Sequence, residues 1–395
     1  MSHETASTYI PSTGLPAPVS PKVYITGLAA QYPPYLFRPS DLDTLAAQLH
    51  DPSNPGIQRL LHLNRKTGIL TLPSVLPSTS FPSPSPPTIT ELDLTFRHHG
   101  TALAVQACHS ALAESHHLPS DITHTVAVTC TSTGCPGFDL LVAQTLGLAP
   151  TVDRTLLHGV GCAGGLAILR VAAQIVAGAT ARGGAAVVLA YACELCTPLV
   201  RHALVEAARR EPGQVGIEGA LFSDGAAGVV VCNAMGKGGR EAVFEVGAWG
   251  TETVPGTVGE MGFFTEGFGY QTTLTRNVPL IARGAMRGMF ERLVGEYKSE
   301  FGEEVGGSED FDWALHPGGA AIMDGVRDVM GLSEHQLRAS REVYRIKGNS
   351  SSPTVLIVLD KLRRMSPGKE HVIATSFGPG VTIEMVVLRK SSGTC

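Results

Sequence analysis

Short runs without charged residues alternate with helical patterns along this chain, and that alternation constrains its fold more than any other feature. Residues 125–131, 185–192 and 226–232 contain no charged side chain, and the last two are continuous apolar runs. A strand has this composition when both of its faces are covered. The helical patterns between the runs supply the covering layers. We therefore predict an α/β protein with a covered, mostly parallel sheet.

The same order of elements recurs in the second part of the chain, after the Gly-rich segment 235–240. We predict a flexible segment 1–21 and two similar halves, 22–236 and 237–395, although no residue-level repeat is visible. The predicted helices are 40–50, 56–66, 97–115, 138–146, 162–181, one after 197, 278–301, 320–330, 334–345 and one after 353. The predicted strands are 22–31, 125–131, 185–192, 226–232, 242–249, 312–315, 371–376 and 381–388, and segment 72–87 is a predicted Pro-rich loop.

Composition and charge argue against several functional classes. Hydrophobic residues make up 43% of the chain and charged residues 16%, as in a globular protein with extensive buried surface. The net charge is −5, and no run of Lys or Arg indicates nucleic-acid binding. No stretch approaches about 18 uninterrupted apolar residues, and residues 1–20 lack the apolar core of a signal peptide. We therefore expect no membrane span and a cytoplasmic location.

Most of the eight cysteines lie in apolar runs, as buried free thiols do in a reducing compartment. Cys193 and Cys196 form a Cys-x-x-Cys pair, a spacing also found in redox and zinc sites. No second ligand pair stands at metal spacing, and the pair ends a predicted strand. A structural role is therefore the favoured interpretation of this pair.

A cysteine stands where a short strand-like segment meets a long apolar helix, in the run LLHGVGCAGGL of residues 156–166. Unpaired N–H groups and the dipole at a helix start lower the pKa of a thiol, so Cys162 is predicted to be an activated nucleophile. The neighbouring glycines are expected to leave room for a group bound to the sulfur. The run also matches Gly-x-Gly-x-x-Gly, a dinucleotide fingerprint. That fingerprint needs an acidic residue at the end of the next strand, which is missing near residue 185; Glu194 lies too far along.

Two segments of the second half offer partners for such a nucleophile. His316 closes the predicted strand 312–315 and precedes two glycines, a position that faces the ligand crevice in α/β sheets. A lone histidine is more often a satisfied core residue, so this assignment competes with a structural one. Asn349 lies in the run GNSSSPT of residues 348–354, where it is either an ordinary turn residue or an amide donor to a developing oxyanion.

These three segments together resemble the Cys-His-Asn constellation of condensing enzymes of the thiolase superfamily. The run SFGPGVTIE of residues 376–384 resembles the GFGPG signature of type III polyketide synthases, the chalcone synthase family. The contexts LHGVGC of 157–162 and NRKTGI of 64–69 are most similar to the fungal branch. The resemblance covers residues 22–390. Two departures are Ser376 in place of the first signature glycine and Thr272, with Phe268 and Tyr270 nearby, where chalcone synthases carry a gatekeeper phenylalanine.

The resemblance implies a duplicated, thiolase-like α/β/α/β/α fold, with Cys162 in the first half and His316 and Asn349 in the second. It implies that Cys162 takes an acyl starter from a coenzyme A thioester and that His316, as imidazolium, holds the thiolate. His316 and Asn349 would then stabilise the enolate formed when malonyl-CoA loses CO₂. The chain would be extended and cyclised to an alkyl pyrone, resorcinol or resorcylic acid, with a fatty acyl starter favoured. No metal or redox cofactor is implied.

Further contacts and partners follow from the same resemblance. Arg59, His62 and Lys66 lie at helical spacing and match basic residues that bind the phosphates of coenzyme A, although a solvated helix face has the same pattern. Contacts to the pantetheine arm or to the cavity are implied at Leu274, Gly318, Gly319, Ala321 and Ser351. A homodimer that needs no acyl carrier protein, nucleic acid or membrane span is expected. The alternatives are a ketoacyl synthase III-like enzyme, an NAD-dependent oxidoreductase and a non-catalytic homologue.

Overall fold

The computed structural model describes residues 21–81, 83–234, 242–267, 269–301 and 305–391. Its α-helices are α1 (Pro39–Leu49), α2 (Pro55–Lys66), α3 (Ile89–Thr95), α4 (Thr101–Ser115), α5 (Phe138–Thr145), α6 (Gly164–Ala181), α7 (Val200–Arg209), α8 (Val278–Phe301), α9 (Ala320–Met330), α10 (Arg338–Lys347) and α11 (Thr354–Arg363). Its strands are β1 (Val23–Gln31), β2 (Tyr35–Phe37), β3 (Leu72–Ser74), β4 (His124–Val128), β5 (Asp153–Leu157), β6 (Val187–Glu194), β7 (Gly225–Cys232), β8 (Phe244–Thr253), β9 (Met261–Glu266), β10 (Gly269–Leu274), β11 (Phe311–Leu315), β12 (His371–Gly378) and β13 (Thr382–Lys390).

Nine of the described strands form one sheet in the order β11-β12-β13-β8-β1-β7-β6-β4-β5. Three neighbouring pairs are parallel, β4–β5, β4–β6 and β11–β12, and the other five are antiparallel. The prediction of a mostly parallel sheet is therefore wrong. Continuous apolar runs report that both faces are covered, whereas strand direction depends on the connections. The short turn between β12 and β13, for example, leaves no room for a parallel crossover.

The two halves repeat one pairing pattern, which confirms the predicted duplicated architecture. In the first half β1 pairs antiparallel with β7, β7 antiparallel with β6, and β6 parallel with β4. In the second half β8, β13, β12 and β11 repeat these pairings in the same order. A short antiparallel contact, Val23 to Ile25 opposite Phe244 to Val246, joins the halves. Strand β5 has no counterpart and ends the sheet.

Each half-sheet is covered on both faces, which produces five layers. In β7, Val229 packs in the central core with α6 and α11, whereas Val230 packs with α4 and α5. In β13, Val386 packs in that same central core and Met385 packs with α8 and α9. Neighbouring side chains of one strand therefore enter different cores, which is why the strand runs are apolar throughout. The layers follow the order α/β/α/β/α.

Several element boundaries differ from the predictions. The helix predicted over 97–115 begins at Ile89 and passes through a π-helical turn, Phe96–Gly100, before α4. The predicted loop 72–87 contains β3, which pairs with β2; three residues are too few for a periodic signal. The β9–β10 hairpin was not predicted from the sequence. The predicted segment 1–21 and the boundary at 236 fall almost wholly outside the described residues.

One described helix, Gly161–Ala181, is long and apolar enough to satisfy length and hydropathy criteria for a membrane span, with a hydropathy of 1.6. However, 61% of its most apolar window is buried inside the protein. This segment contains α6, whose residues Leu166, Ile168 and Leu169 lie in the central core. Packing between the two half-sheets accounts for its apolar composition.

Candidate active site

An open cavity of about 1430 Å³, its mouth included, is lined by residues of both halves. Cys162 of the first half and His316 and Asn349 of the second half all lie on its wall. Cys162 stands in a short 3₁₀ turn before α6, His316 directly follows β11, and Asn349 precedes α11. The fold therefore brings together the three residues that the sequence singled out.

The glycines around Cys162 make room for the protein itself. A Cβ on Gly161 would lie 2.6 Å from Pro379, and one on Gly165 would lie 2.4 Å from the backbone oxygen of Ser352. A Cβ on Gly378 of the second half would lie 2.5 Å from the oxygen of Val160. The expectation that the Cys162 glycines leave space for a bound group is thus wrong at Gly161 and Gly165, which allow the second half to press against the nucleophile turn. The same contacts fill the helix start that a dinucleotide would need.

Burial and hydrogen bonding act in opposite directions on the pKa of Cys162. Burial raises this pKa to about 11, while hydrogen bonds with Ser351 and Asn349 lower it and the charge of Glu194 raises it further. The Cys162 sulfur lies 3.4 Å from the Ser351 hydroxyl. The prediction that a helix start lowers the pKa of this thiol is therefore not met, because the pKa of the isolated thiol lies above its usual value. Cys162 lies in the turn before α6, and burial raises the pKa of its thiol by more than the hydrogen bonds lower it.

His316 is buried and has no hydrogen-bond partner for either ring nitrogen among the described residues. Its backbone N–H donates to the oxygen of Thr375 at 2.8 Å, which continues the β11–β12 pairing and fixes the position of the ring. Burial lowers the pKa of His316 to about 3. A buried imidazole without a structural partner, on a cavity wall, is free to exchange protons or to bind a ligand.

The side chain of Asn349 is oriented by its carbonyl oxygen. Oδ1 accepts a hydrogen bond from the backbone N–H of Ser351 at 2.7 Å and lies 3.2 Å from the hydroxyl of Thr354. The backbone of Asn349 is also held, since its N–H donates to the oxygen of Leu221 and its oxygen accepts from Ser223. With Oδ1 occupied, the amide NH₂ group is left for the cavity side, and a hydrogen bond from Asn349 lowers the pKa of Cys162.

A buried carboxylate behind the nucleophile was not assigned a role from the sequence. Glu194, at the end of β6, accepts hydrogen bonds from the backbone N–H of Cys130, the hydroxyl of Thr131 and the hydroxyl of Ser352. Burial raises its pKa, while these hydrogen bonds lower it. Glu194 thereby ties both halves together beneath the cavity. An acidic residue that closes an otherwise apolar strand was the signal in the sequence.

The predicted coenzyme A contacts fall into two groups. Leu274, Gly318 and Ser351 line the cavity. The remaining five, Arg59, His62, Lys66, Gly319 and Ala321, are exposed or half-buried outside its lining. On α2, His62 and Lys66 are exposed, Arg59 is half-buried, and the inward face presents Leu60 to the cavity. Arg59 and Lys66 make no ion pair with any residue in the described ranges.

Aromatic side chains stand beside Thr272, the position matched to a gatekeeper phenylalanine. Thr272, Phe263 and Tyr270 line the cavity, and the last two stack with ring centroids 4.6 Å apart. Phe268, which the sequence analysis also considered, lies outside the described residues. Phe263 is the cross-strand partner of Thr272, and Tyr270 lies two residues before Thr272 on β10, so the β9–β10 hairpin places an aromatic wall beside this position.

The two cysteines of the Cys-x-x-Cys pair lie in different surroundings. The thiol of Cys193 donates to the oxygen of Gly100, and Cys196 lines the cavity with its backbone N–H held by Asp224. All seven cysteines within the described ranges are free, and the same ranges contain no cluster of three metal-ligating side chains. This arrangement fits the structural interpretation of Cys193.

Comparison with known proteins gives consistent matches over almost the whole chain. The model for the N-terminal domain of chalcone and stilbene synthases matches residues 85–234, and the C-terminal domain model matches residues 249–392. The type III polyketide synthase pspB of Penicillium soppii is 51% identical over 385 residues, covering 94% of this chain and 96% of its own.

Two further fungal proteins match in sequence or structure. The acylalkylpyrone synthase csyB of Aspergillus oryzae is 33% identical over 387 residues, covering 95% of this chain and 97% of its own. The structure of CsyB complexed with CoA-SH superposes with a TM-score of 0.88 at 32% identity, covering 93% of this chain and 100% of that one. The fungal type III polyketide synthase ORAS gives a TM-score of 0.89 at 37% identity, with the same coverage.

Proposed function

Because the chain belongs to the chalcone and stilbene synthase family, as a condensing acyltransferase of the fungal type III polyketide synthase branch, we propose that it extends a fatty acyl starter with malonyl units and cyclises the product. The observation that carries this proposal is the convergence of Cys162, His316 and Asn349 on one cavity. Family membership sets aside the oxidoreductase, the ketoacyl synthase III-like and the non-catalytic alternatives.

Loading begins with proton exchange between Cys162 and His316. Burial disfavours a charge on either group alone, so the pair ionises together, as thiolate and imidazolium, or not at all. The thiolate attacks the carbonyl carbon of the acyl-CoA starter. The C–S bond to coenzyme A then breaks, and the free thiol of coenzyme A leaves with a proton. The starter remains as a thioester on Cys162.

Condensation uses the two hydrogen-bond donors of the second half. His316 and the amide of Asn349 bind the thioester oxygen of malonyl-CoA. Loss of CO₂ leaves an enolate on that oxygen, and fixed donors in a site shielded from water stabilise such a charge by about 3 kcal/mol each. The enolate carbon attacks the acyl-Cys162 thioester, a C–C bond forms, and the Cys162 thiolate is released. The carbanion comes from decarboxylation, so this scheme needs no metal or redox cofactor.

The surroundings of the triad support the substrate class. The cavity wall is largely apolar, with Phe222, Met261, Phe263, Leu274 and Ile322 among its residues, which suits an aliphatic chain. An acylalkylpyrone synthase among the relatives supports an alkyl pyrone as product, with resorcinol and resorcylic acid as the other outcomes. Arg59, His62 and Lys66 on α2 would bind the phosphates of coenzyme A, and Gly319 and Ala321 would flank its arm.

The enzyme would act as a cytoplasmic homodimer on coenzyme A thioesters without an acyl carrier protein. Strand β5 supports the dimer because it ends the sheet, pairs only with β4 and exposes 38% of Leu156. An open strand edge with an exposed apolar side chain is a pairing surface for a second copy.

Purified protein incubated with labelled malonyl-CoA and a panel of acyl-CoAs tests the proposal by mass spectrometry of intact protein and products. We expect pyrones or resorcinols from fatty acyl-CoA. Cys162→Ala should abolish acyl loading because the nucleophile is missing. Asn349→Ala should still load the starter but lose malonyl decarboxylation by roughly 100-fold. Absence of a condensation product with every starter, or normal extension by Cys162→Ala, would contradict the proposal.

A further inference from the structure

The cavity continues from the triad along one face of α7. The face carries Val200, His202, Ala203, Glu206 and Ala207, spaced as successive turns of one helix side, and Arg210 follows the helix. Cys196, just before this segment, is close enough to Cys162 for their charges to interact. His202 lies six residues further on, roughly 9 Å along the helix axis. The wall near His202 is therefore reached by a chain tethered on Cys162.

The polar side chains at the far end of this face satisfy one another. Arg210 pairs with Glu206 at 3.1 Å and lies 3.9 Å from Glu218. Burial raises the pKa of Glu218, and the charge of Arg210 lowers it. This group forms a closed network of opposite charges.

His202 makes no hydrogen bond or ion pair with that network, although Glu206 follows it by one turn of α7. It is 9% exposed, it lines the cavity, and its buried ring nitrogen Nδ1 has no hydrogen-bond partner among the described residues. Its neighbours along the helix face, Val200, Ala203 and Ala207, are apolar. A buried ring nitrogen without a partner costs about 1–3 kcal/mol, so a purely structural side chain at this position would be better apolar. Since His202 lines the cavity, a ligand bound there can complete the hydrogen bonding of Nδ1.

We propose that His202 is a specificity-determining residue that hydrogen-bonds an oxygen carried by the acyl chain, several carbon atoms away from the Cys162 thioester. The ligand class is an acyl chain with a hydroxyl or keto group. Such an oxygen has two possible sources, an oxygenated starter and a ketone of the growing chain. This inference rests on the proposed function and goes beyond it by naming the chemistry of the chain.

The test compares the full-length enzyme with His202→Phe, which keeps a ring but loses the hydrogen bond, and His202→Gln, which keeps a donor and an acceptor. The starters are saturated and hydroxylated acyl-CoAs of equal length, with the hydroxyl placed at different carbons. Because the coenzyme A part is the same, the ratio of kcat/KM for hydroxylated over saturated starter reports only the chain oxygen. His109→Phe, on the exposed surface of α4, controls for the substitution itself.

If the starter carries the oxygen, the ratio falls roughly tenfold in His202→Phe and is largely retained in His202→Gln. If the growing chain carries it, that ratio stays constant, but His202→Phe changes the number of extensions made from a saturated starter and His202→Gln restores it. An unchanged ratio together with unchanged extension numbers overturns the inference, as does equal behaviour of the Phe and Gln variants. Wild-type enzyme that forms no product with any starter refutes the proposed function instead.

Discussion

At the scale of single residues, the candidate site depends on side chains that are fixed in position but keep polar atoms available for hydrogen bonding. Asn349 is fixed through its carbonyl oxygen, which leaves its amide available. His316 is fixed through its backbone, which leaves both ring nitrogens available. The Cys162 sulfur contacts the Ser351 hydroxyl. Its thiolate would gain an ionic partner when His316 takes the proton and becomes an imidazolium. We therefore expect the reactivity of the thiol to depend on the histidine more than on the helix start.

Alkylation of Cys162 tests this dependence. With His316→Gln the thiol has no partner that can take its proton, burial keeps its pKa above its usual value, and the thiolate fraction rises tenfold per pH unit between pH 7 and 9. We expect Cys162 of this variant to react with iodoacetamide at least tenfold more slowly than wild type at pH 7, with a steeper pH dependence. Peptide mass spectrometry measures the rate.

The exposed thiol of Cys135 provides an internal control in the same samples, since its rate should not differ between the two proteins. Equal rates at Cys162 in wild type and His316→Gln would show that the histidine does not activate the thiol.

At the scale of elements, α6 is positioned by glycines whose surroundings differ along its length. At its first turn, a Cβ on Gly165 would meet the backbone oxygen of Ser352 at 2.4 Å, on the segment that carries Asn349. Further along the same helix, a Cβ on Gly178 would have nothing within 4 Å. The start of α6 and the start of α11 therefore fix each other, and with them two of the three site residues.

Gly165→Ala and Gly178→Ala form a matched pair on this helix. Gly165→Ala should lower the free energy of unfolding by about 2 kcal/mol, because backbone must move, and should reduce condensation activity with it. Gly178→Ala should raise the free energy of unfolding by roughly 0.5–1 kcal/mol, because alanine favours a helix. Urea unfolding followed by circular dichroism measures both, and similar effects at the two positions would contradict the close-packing argument.

The sequence predicted most helices and strands, since long apolar periodicities are local. It predicted α8 and α9 to the residue because each is long and amphipathic or bounded by glycine. It did not predict strand direction, the three-residue β3 or the β9–β10 hairpin, which depend on partners distant in the chain. The triad could be identified from its sequence motifs. The roles of Gly161 and Gly378 depend on how the two halves pack together, which the sequence does not show.

At the scale of the whole molecule, two half-sheets share the central layer of α6 and α11, and the cavity lies where both halves contribute. Arg170 of α6 donates two hydrogen bonds of 2.9 and 2.8 Å to Glu384 of β13, a half-buried link between the halves. The β1–β8 contact is short, so the two halves contact each other mainly through the shared helical layer. Only β5 leaves an edge of the large sheet with an exposed leucine.

That edge leads to a prediction about oligomeric state. Multi-angle light scattering should give wild type twice the 41.4 kDa of one chain. Leu156→Lys should shift the population toward monomer, because a charge on an open strand edge opposes pairing with another copy. Leu280→Lys, at a side chain 69% exposed on α8, should remain dimeric. A monomeric wild type, or no difference between the two variants, would contradict the β5 interface.

The contact of Gly378 and Pro379 with the turn of Cys162 has a consequence for the order of synthesis. A ribosome releases the nucleophile turn long before it releases residues 378 and 379, which cover that turn. Until then the first half can fold but its thiol has no lining from His316, Asn349 or the signature loop. The cysteine of the first half therefore stays uncovered until the second half has been made and has packed against it.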